Sequence, residues 1–375
     1  MASQRLHALD GLRGVAILLV MGFHYFYHLE SFYYKSTLYP YGETFSNVLL
    51  FKYGYMGVEL FFIISGFVIA MTLESSRSVI DFVVRRFVRI WPALIVSAII
   101  TFFLLNWSDA PFALHRRQFW PNFLPSLTLT PTSLWSGWFP KVDFVTNVYW
   151  SLVVEIRFYM IAVILFWLFS REKLARNLVI FTLAMYLVRA LLRRAMPGYN
   201  GVYDALFIPD YMPWFAAGAV FYELYKERLT KGAAAIMLAI MYAAIARIST
   251  NYAVIDRNPI IASSAALFML ALFWLLATKP RSMSIFEVRP LVWIGECSYS
   301  VYLYHYAVGM VLISQVSKTI GVVPQVLLVI LISMLVLVVG RISYTTVENP
   351  ARRWLTKLLI GPPQKPAAAA TPSAV

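Results

Sequence analysis

Apolar and polar stretches alternate along the chain on a scale of about twenty residues. Runs of roughly 17–25 mostly apolar residues fit a helix that crosses the ~30 Å hydrocarbon layer of a bilayer. Such runs lie at about 11–30, 56–74, 88–106, 146–169, 176–195, 211–226, 232–249, 259–278, 296–317 and 322–346, which predicts ten membrane helices. The stretch 111–140 is apolar around Phe123 to Leu129 but is broken by Pro, Trp and Ser. It is predicted as an outer loop dipping toward the interface. The first run continues from Arg13 to about Tyr27 with no small-x-small site after it, so it is expected to be a retained span rather than a cleaved signal.

The basic residues set the orientation. With the N-terminus on the cytosolic side, the inner segments hold 19 Lys and Arg and the outer segments 11. Positive charge collects in cytosolic loops, so both termini are expected inside. An even number of spans agrees with that. The expected fold class is therefore all-α, a polytopic transmembrane bundle. Residues 1–358 form one integral-membrane domain, and 359–375, rich in Pro and Ala, form a disordered cytosolic tail. No second, water-soluble catalytic domain is expected.

Composition agrees. Of 375 residues 60% are hydrophobic and 13% charged, and the mean hydropathy is +0.69. A chain this apolar cannot bury its surface in one aqueous core. The net charge of +14 sits mostly in short loops, where it signals topology rather than nucleic-acid binding. A single cysteine, Cys297, excludes an intramolecular disulfide framework and multi-cysteine metal sites. No metal is expected.

Ionisable groups inside a membrane span are costly and mark functional sites by default. Arg13 and His24 are eleven residues apart, which leaves them on nearly the same helix face and about 16 Å apart along the axis. That predicts Arg13 near the cytosolic surface and His24 near mid-membrane. The pair suits an elongated substrate with an anionic head and a reactive end, such as coenzyme A. Arg13 then holds a phosphate, and His24 acts as general base or nucleophile at the thioester. Arg85, Arg86 and Arg89 open the third span at spacings of three and four residues and can converge as a phosphate clamp. Glu155 lies about 13 Å into the fourth span and needs a partner there. The choices are a histidine, a sugar hydroxyl or an arginine. Glu59, toward the outer end of the second span, can face His24 or an acceptor sugar. Ser298, Tyr302 and His305 fall on one face of the ninth predicted helix, with His305 at about mid-depth.

Five runs, taken together, resemble the acyltransferase 3 family of bacterial membrane O-acyltransferases. They are Leu9-Asp10-Gly11-Leu12-Arg13-Gly14 with His24 following, Gly57–Phe67, Arg85–Pro92, Trp150–Glu155 and Ser298–His305, in family order from residue 5 to about 355. The resemblance implies a ten-helix bundle that moves acyl groups, usually acetyl, from cytosolic acyl-coenzyme A to carbohydrates handled at the membrane. It implies that His24, in the Arg-x10-His motif with Arg13, is catalytic. It places the Arg-x-x-Arg motif on Arg86 and Arg89 for donor binding, and the membrane glutamate on Glu155. An acidic residue is usual at the place of Glu59.

The expected function is acyl transfer, acetyl foremost, from acetyl-CoA or another acyl-CoA to a hydroxyl of an envelope or exported carbohydrate. The expected location is the bacterial inner membrane. The sites are His24, Glu155, Glu59, His305 and Tyr302 for chemistry, and Arg13, Arg85, Arg86 and Arg89 for the donor. Tyr302 or His305 is expected to donate to the developing oxyanion. A transporter or flippase of a glycan or lipid-linked sugar fits the same buried charges, and a structural subunit makes none of them necessary. The acceptor and the choice of direct transfer or an acyl-histidine relay stay open.

Overall fold

A computed structural model describes residues 7–28, 38–196, 202–251 and 258–360. Every regular element among them is helical. The long helices follow the apolar runs one for one: α1 His7–Phe26, α2 Met56–Ser75, α3 Val79–Trp107, α4 Trp150–Leu168, α5 Leu174–Ala195, α6 Met212–Tyr225, α7 Lys231–Asn251, α8 Pro259–Thr278, α9 Ser298–Ile313 and α10 Val322–Ser343.

Among the described residues, eight helices are long and apolar enough to cross a membrane. This is fewer than the ten expected. The two that fall short are α6, with 14 residues, and α9, with 16. Both are buried on nearly every side. Their neighbours are other helices, so protein rather than lipid satisfies their surroundings and nothing holds them to the hydrocarbon thickness. The outer helices are the reverse. Along α10, Leu327, Leu331, Leu335, Val338 and Ile342 are exposed large apolar side chains. An apolar surface that extensive needs lipid. The chain is a multi-pass membrane protein.

Several boundaries move, and the shifts matter for the site. α1 starts at His7 and ends at Phe26. Arg13 thus lies about a third of the way along it, deeper than a mouth position. His24 lies two residues from its end rather than at its middle. α3 starts at Val79, where the Ser78 hydroxyl accepts a 3.2 Å bond from the Asp81 amide. The arginines at 85, 86 and 89 therefore sit in the second and third turns rather than at the helix mouth. The stretch 111–140 makes no span. It folds as short helices, and one of them, Phe123–Thr128, docks on α3 where the Trp91 indole donates to the Leu127 carbonyl at 2.8 Å. After α10 the chain continues through a π-helical turn, Tyr344–Glu348, into Asn349–Ile360. Residues 359 and 360 are therefore helical rather than tail, and 361–375 lie outside the described residues.

Two close crossings hold the centre. α1 packs on the short helix Arg289–Glu296. A Cβ built at Gly295 would stand 1.7 Å from the Asp10 carbonyl oxygen, so only glycine fits there. α2 crosses α6 in the same way: a Cβ at Gly218 would stand 2.1 Å from the Ile63 carbonyl oxygen. Small residues that let backbones touch are the usual glue of membrane helices. α1 also packs on α2 and on α9, while α3 packs on α9 and α4 on α2.

Candidate active site

The face of α1 that carries Arg13 and His24 looks into a line of three cavities. They are named here by the ends of α1. The His7-end cavity, about 350 Å³, is lined by Asp10, Arg13, Arg89, Glu296, Glu348 and Arg352, with Tyr299 and others. The middle cavity is a waist of about 70 Å³ that includes Arg13, Arg86, Arg89 and Glu155. The Phe26-end cavity, about 420 Å³, includes His24, Glu59 and Tyr302. Arg13, Arg89, Ser298 and Tyr299 border both of the first two, and Val58 and Tyr302 border both of the last two. The three spaces are neighbours along one axis.

His24 is held by its Nδ1 atom. That atom lies 2.9 Å from the Val20 carbonyl oxygen and 3.2 Å from Nε2 of His305. A carbonyl can only accept, so the hydrogen belongs on Nδ1 of His24. The same argument applies to His305, whose Nδ1 stands 2.8 Å from the Tyr302 carbonyl. Its Nε2 is then an acceptor facing His24. Both rings are fixed in one tautomer, and the Nε2 lone pair of His24 is left for the cavity. His305 is fully buried and lines none of the three cavities. Its geometry is that of a residue that orients His24. Tyr302 does reach the cavities, with its hydroxyl 2.7 Å from the Ser151 hydroxyl and 3.1 Å from the Val148 carbonyl.

Glu155 is in the waist, away from the histidines. It accepts from the Ser65 hydroxyl at 2.8 Å and from the Tyr159 hydroxyl. These protein hydroxyls are none of the direct partners considered from sequence, and the arginines of the waist lie around it. Arg86 is buried beside it. Its guanidinium donates to Thr72 Oγ1 at 2.6 Å and lies 5.6 Å from the Phe82 ring and 5.7 Å from the Tyr159 ring. Arg89 borders both the waist and the His7-end cavity, and no hydrogen bond or ion pair to a described residue satisfies it. Arg13 is paired to Asp10 at 3.0 Å.

Arg85 is separated from this group. Its Nε bonds Asp81 at 2.7 Å at the start of α3, and it borders none of the three cavities. Arg85→Ala is therefore expected to leave the KM for an acyl-CoA donor within about twofold of the parent, since its guanidinium is held at Asp81 and borders none of the cavities. A tenfold rise would return Arg85 to the site.

Two residues of the His7-end cavity had no signal in the sequence. Glu348 is buried, closes the π turn and accepts from the Ser300 hydroxyl at 2.7 Å. Arg352 follows one turn later. Both lie beyond the last apolar run, where charges read as an ordinary helix end. A π turn inside a long helix is a frequent companion of function. His24 and His28 are neighbours, with ring centroids 5.0 Å apart. Among the described residues no cluster of three metal-ligating side chains forms.

What this arrangement can do follows from its two ends. Guanidiniums gather at one end, suited to phosphates. An oriented imidazole with a free Nε2 sits at the other, suited to proton transfer or nucleophilic attack.

A family model described as an acyltransferase domain matches residues 6–341. The chain is 25% identical to the peptidoglycan O-acetyltransferase OatA of Listeria monocytogenes, over 92% of this chain and 56% of that protein. It is 25% identical to the acyltransferase MdmB of Streptomyces mycarofaciens, over 94% and 92%. It is 24% identical to the O-acetyltransferase OatA of Staphylococcus aureus, over 93% and 57%. The chain thus spans a little over half the length of the two OatA proteins. No solved structure matches it.

Proposed function

Because the chain belongs to the acyltransferase 3 family, we propose that it transfers an acyl group, acetyl foremost, from cytosolic acyl-CoA to a hydroxyl of an envelope or exported carbohydrate. The His7 end of α1 faces the cytosol of a bacterial inner membrane, in line with the Lys and Arg excess on that side. The observation that carries the reading is the line of cavities, with arginines at one end and the Nε2 of His24 at the other. The names of the relatives support acetyl as the acyl group, and a glycan polymer as one acceptor class.

In this reading the donor's phosphates rest on Arg13, Arg89 and Arg352. Its thin pantetheine arm fills the waist past Arg86 and Glu155. The thioester then meets His24. Nε2 of His24 takes the proton of the acceptor hydroxyl as that oxygen attacks the thioester carbonyl. The tetrahedral intermediate collapses, the C–S bond breaks, and the imidazolium returns the proton to the leaving sulfur. The products are the O-acyl sugar and free coenzyme A. Tyr302 donates to the oxyanion by turning its hydroxyl hydrogen away from Ser151 and the Val148 carbonyl, and His305 keeps His24 in the tautomer the step needs.

The test is release of free thiol by purified protein given acetyl-CoA and an acceptor. Movement of a glycan with no thiol release would make the protein a transporter. Arg89→Ala is expected to raise the donor KM at least tenfold, since a charged hydrogen-bonding partner contributes ~1.5–3 kcal/mol. Its effect on kcat should be smaller. An unchanged donor KM removes Arg89 from the donor site.

A further inference from the structure

A donor whose phosphates rest at the His7 end and whose thioester meets His24 enters with its acyl group leading. That group must cross the waist before the pantetheine arm fills it. Toward His24 the waist is closed in by Val58, Phe61 and Phe62 of α2, Ser151 and Leu152 of α4, and Tyr302 of α9. Its volume is about 70 Å³, against about 420 Å³ for the cavity beyond. A water needs ~10–15 Å³ of such space, so the waist holds about five water-sized groups. That suits atoms in single file, as in a polymethylene or amide chain. A saturated ring sets atoms side by side and exceeds it.

We propose that the waist selects the acyl group by width. Unbranched aliphatic acyl groups pass, and bulky branched or cyclic ones are refused although the cavity at His24 has room for them. The inference rests on the acyl-CoA reading. What makes the waist a filter is that its walls are held from behind. The Tyr302 hydroxyl is fixed between Ser151 and the Val148 carbonyl, and its ring meets Phe61 edge to face with centroids 6.2 Å apart. Phe62 is buried and packs on Phe215 of α6, centroids 4.6 Å apart. Nor can α2 retreat, because it meets α6 backbone to backbone. A Cβ at Gly66 would stand 2.1 Å from the Phe215 carbonyl oxygen. Close-packed walls do not stretch to fit a larger group. Forcing extra carbons between them costs roughly 5- to 150-fold in affinity. Length is not limited in the same way, since a chain that has crossed the waist continues into the larger cavity.

The full chain in lipid nanodiscs is titrated with four probes: coenzyme A and its acetyl, hexanoyl and cyclohexylacetyl thioesters. Affinity is read by calorimetry. Hexanoyl-CoA is expected to bind about as tightly as acetyl-CoA, and cyclohexylacetyl-CoA at least about tenfold more weakly. Phe61→Ala widens the waist and should close most of that gap. Leu152→Ala widens it from α4 and should do the same, with size-exclusion chromatography checking that each variant is folded. A cyclohexylacetyl ester that binds the parent as tightly as the acetyl ester does overturns the proposal and leaves the acyl-CoA reading in place. So does refusal of hexanoyl-CoA, which would put the limit on length, or a gap that neither folded variant narrows. Binding of none of the four probes removes the acyl-CoA reading itself, and the filter with it.

Discussion

His24→Ala is expected to lower acyl transfer by about 10²–10⁴-fold, the usual contribution of a positioned general base. Affinity for acetyl-CoA should stay near that of the parent, because the arginines that hold the donor lie at the other end of the cavity line. The structure sharpens why the loss falls on turnover. His24 loses its proton-accepting Nε2, while the Val20 carbonyl that it contacts stays within the helix. The variant should therefore remain folded and inserted, which size-exclusion chromatography in detergent checks. The rate is measured by thiol release, and donor binding by calorimetry on the same sample. A folded variant with normal turnover would move the chemistry away from α1 altogether.

Gly295→Ala is expected to be among the most damaging single methyls, with Gly11→Ala, whose Cβ would stand 1.7 Å from the Phe286 carbonyl oxygen. At Gly295 the new carbon would stand 1.7 Å from the Asp10 carbonyl oxygen, and the nearest atoms there are Asp10 backbone that cannot rotate away. α1 must then shift relative to the Arg289–Glu296 helix. Overpacking of this kind costs about 1–3 kcal/mol and at times more. The shift also carries Asp10 and its partner Arg13, so the donor KM should rise together with the loss of thermal stability. Thermal unfolding in detergent, followed by intrinsic fluorescence, measures the first effect, and thiol-release kinetics the second. An unfolding temperature equal to the parent's would mean that the crossing is looser than described.

The sequence made the bundle legible because each lipid-facing helix must satisfy its own backbone and stay apolar over a fixed length. That rule found α1 to α5, α7, α8 and α10. It also found α6 and α9, which are buried among other helices and are shorter than the rest. It placed Arg13 and His24 on one face, since helical spacing fixes direction. It did not give their place along the helix, since spacing says nothing about where a helix starts: Arg13 is the seventh residue of α1 and His24 lies two residues from its end. Partners distant in sequence were out of reach. The contact between His24 and His305 joins residues 281 positions apart, and the bond from Ser65 to Glu155 joins residues 90 apart. The placement of Arg85 differs from that of Arg86 and Arg89 for a local reason: Asp81 lies one turn before it and holds its Nε. Glu348 was missed because its direction depends on a π turn, and no residue pattern in that stretch announces one.

That turn has a consequence for insertions and deletions. A π turn carries one residue more than the α-helix it interrupts. Losing one residue of 344–348 would let the helix run as continuous α with the segment after it, Arg352 included, kept close to its place. The same loss in the regular helix before the turn would rotate everything after it by about 100° and move it about 1.5 Å, and Arg352 would swing off the cavity. A frame-preserving loss of one codon is thus better absorbed in the turn than in α10. The same loss in the connection between α4 and α5 would be absorbed by the loop.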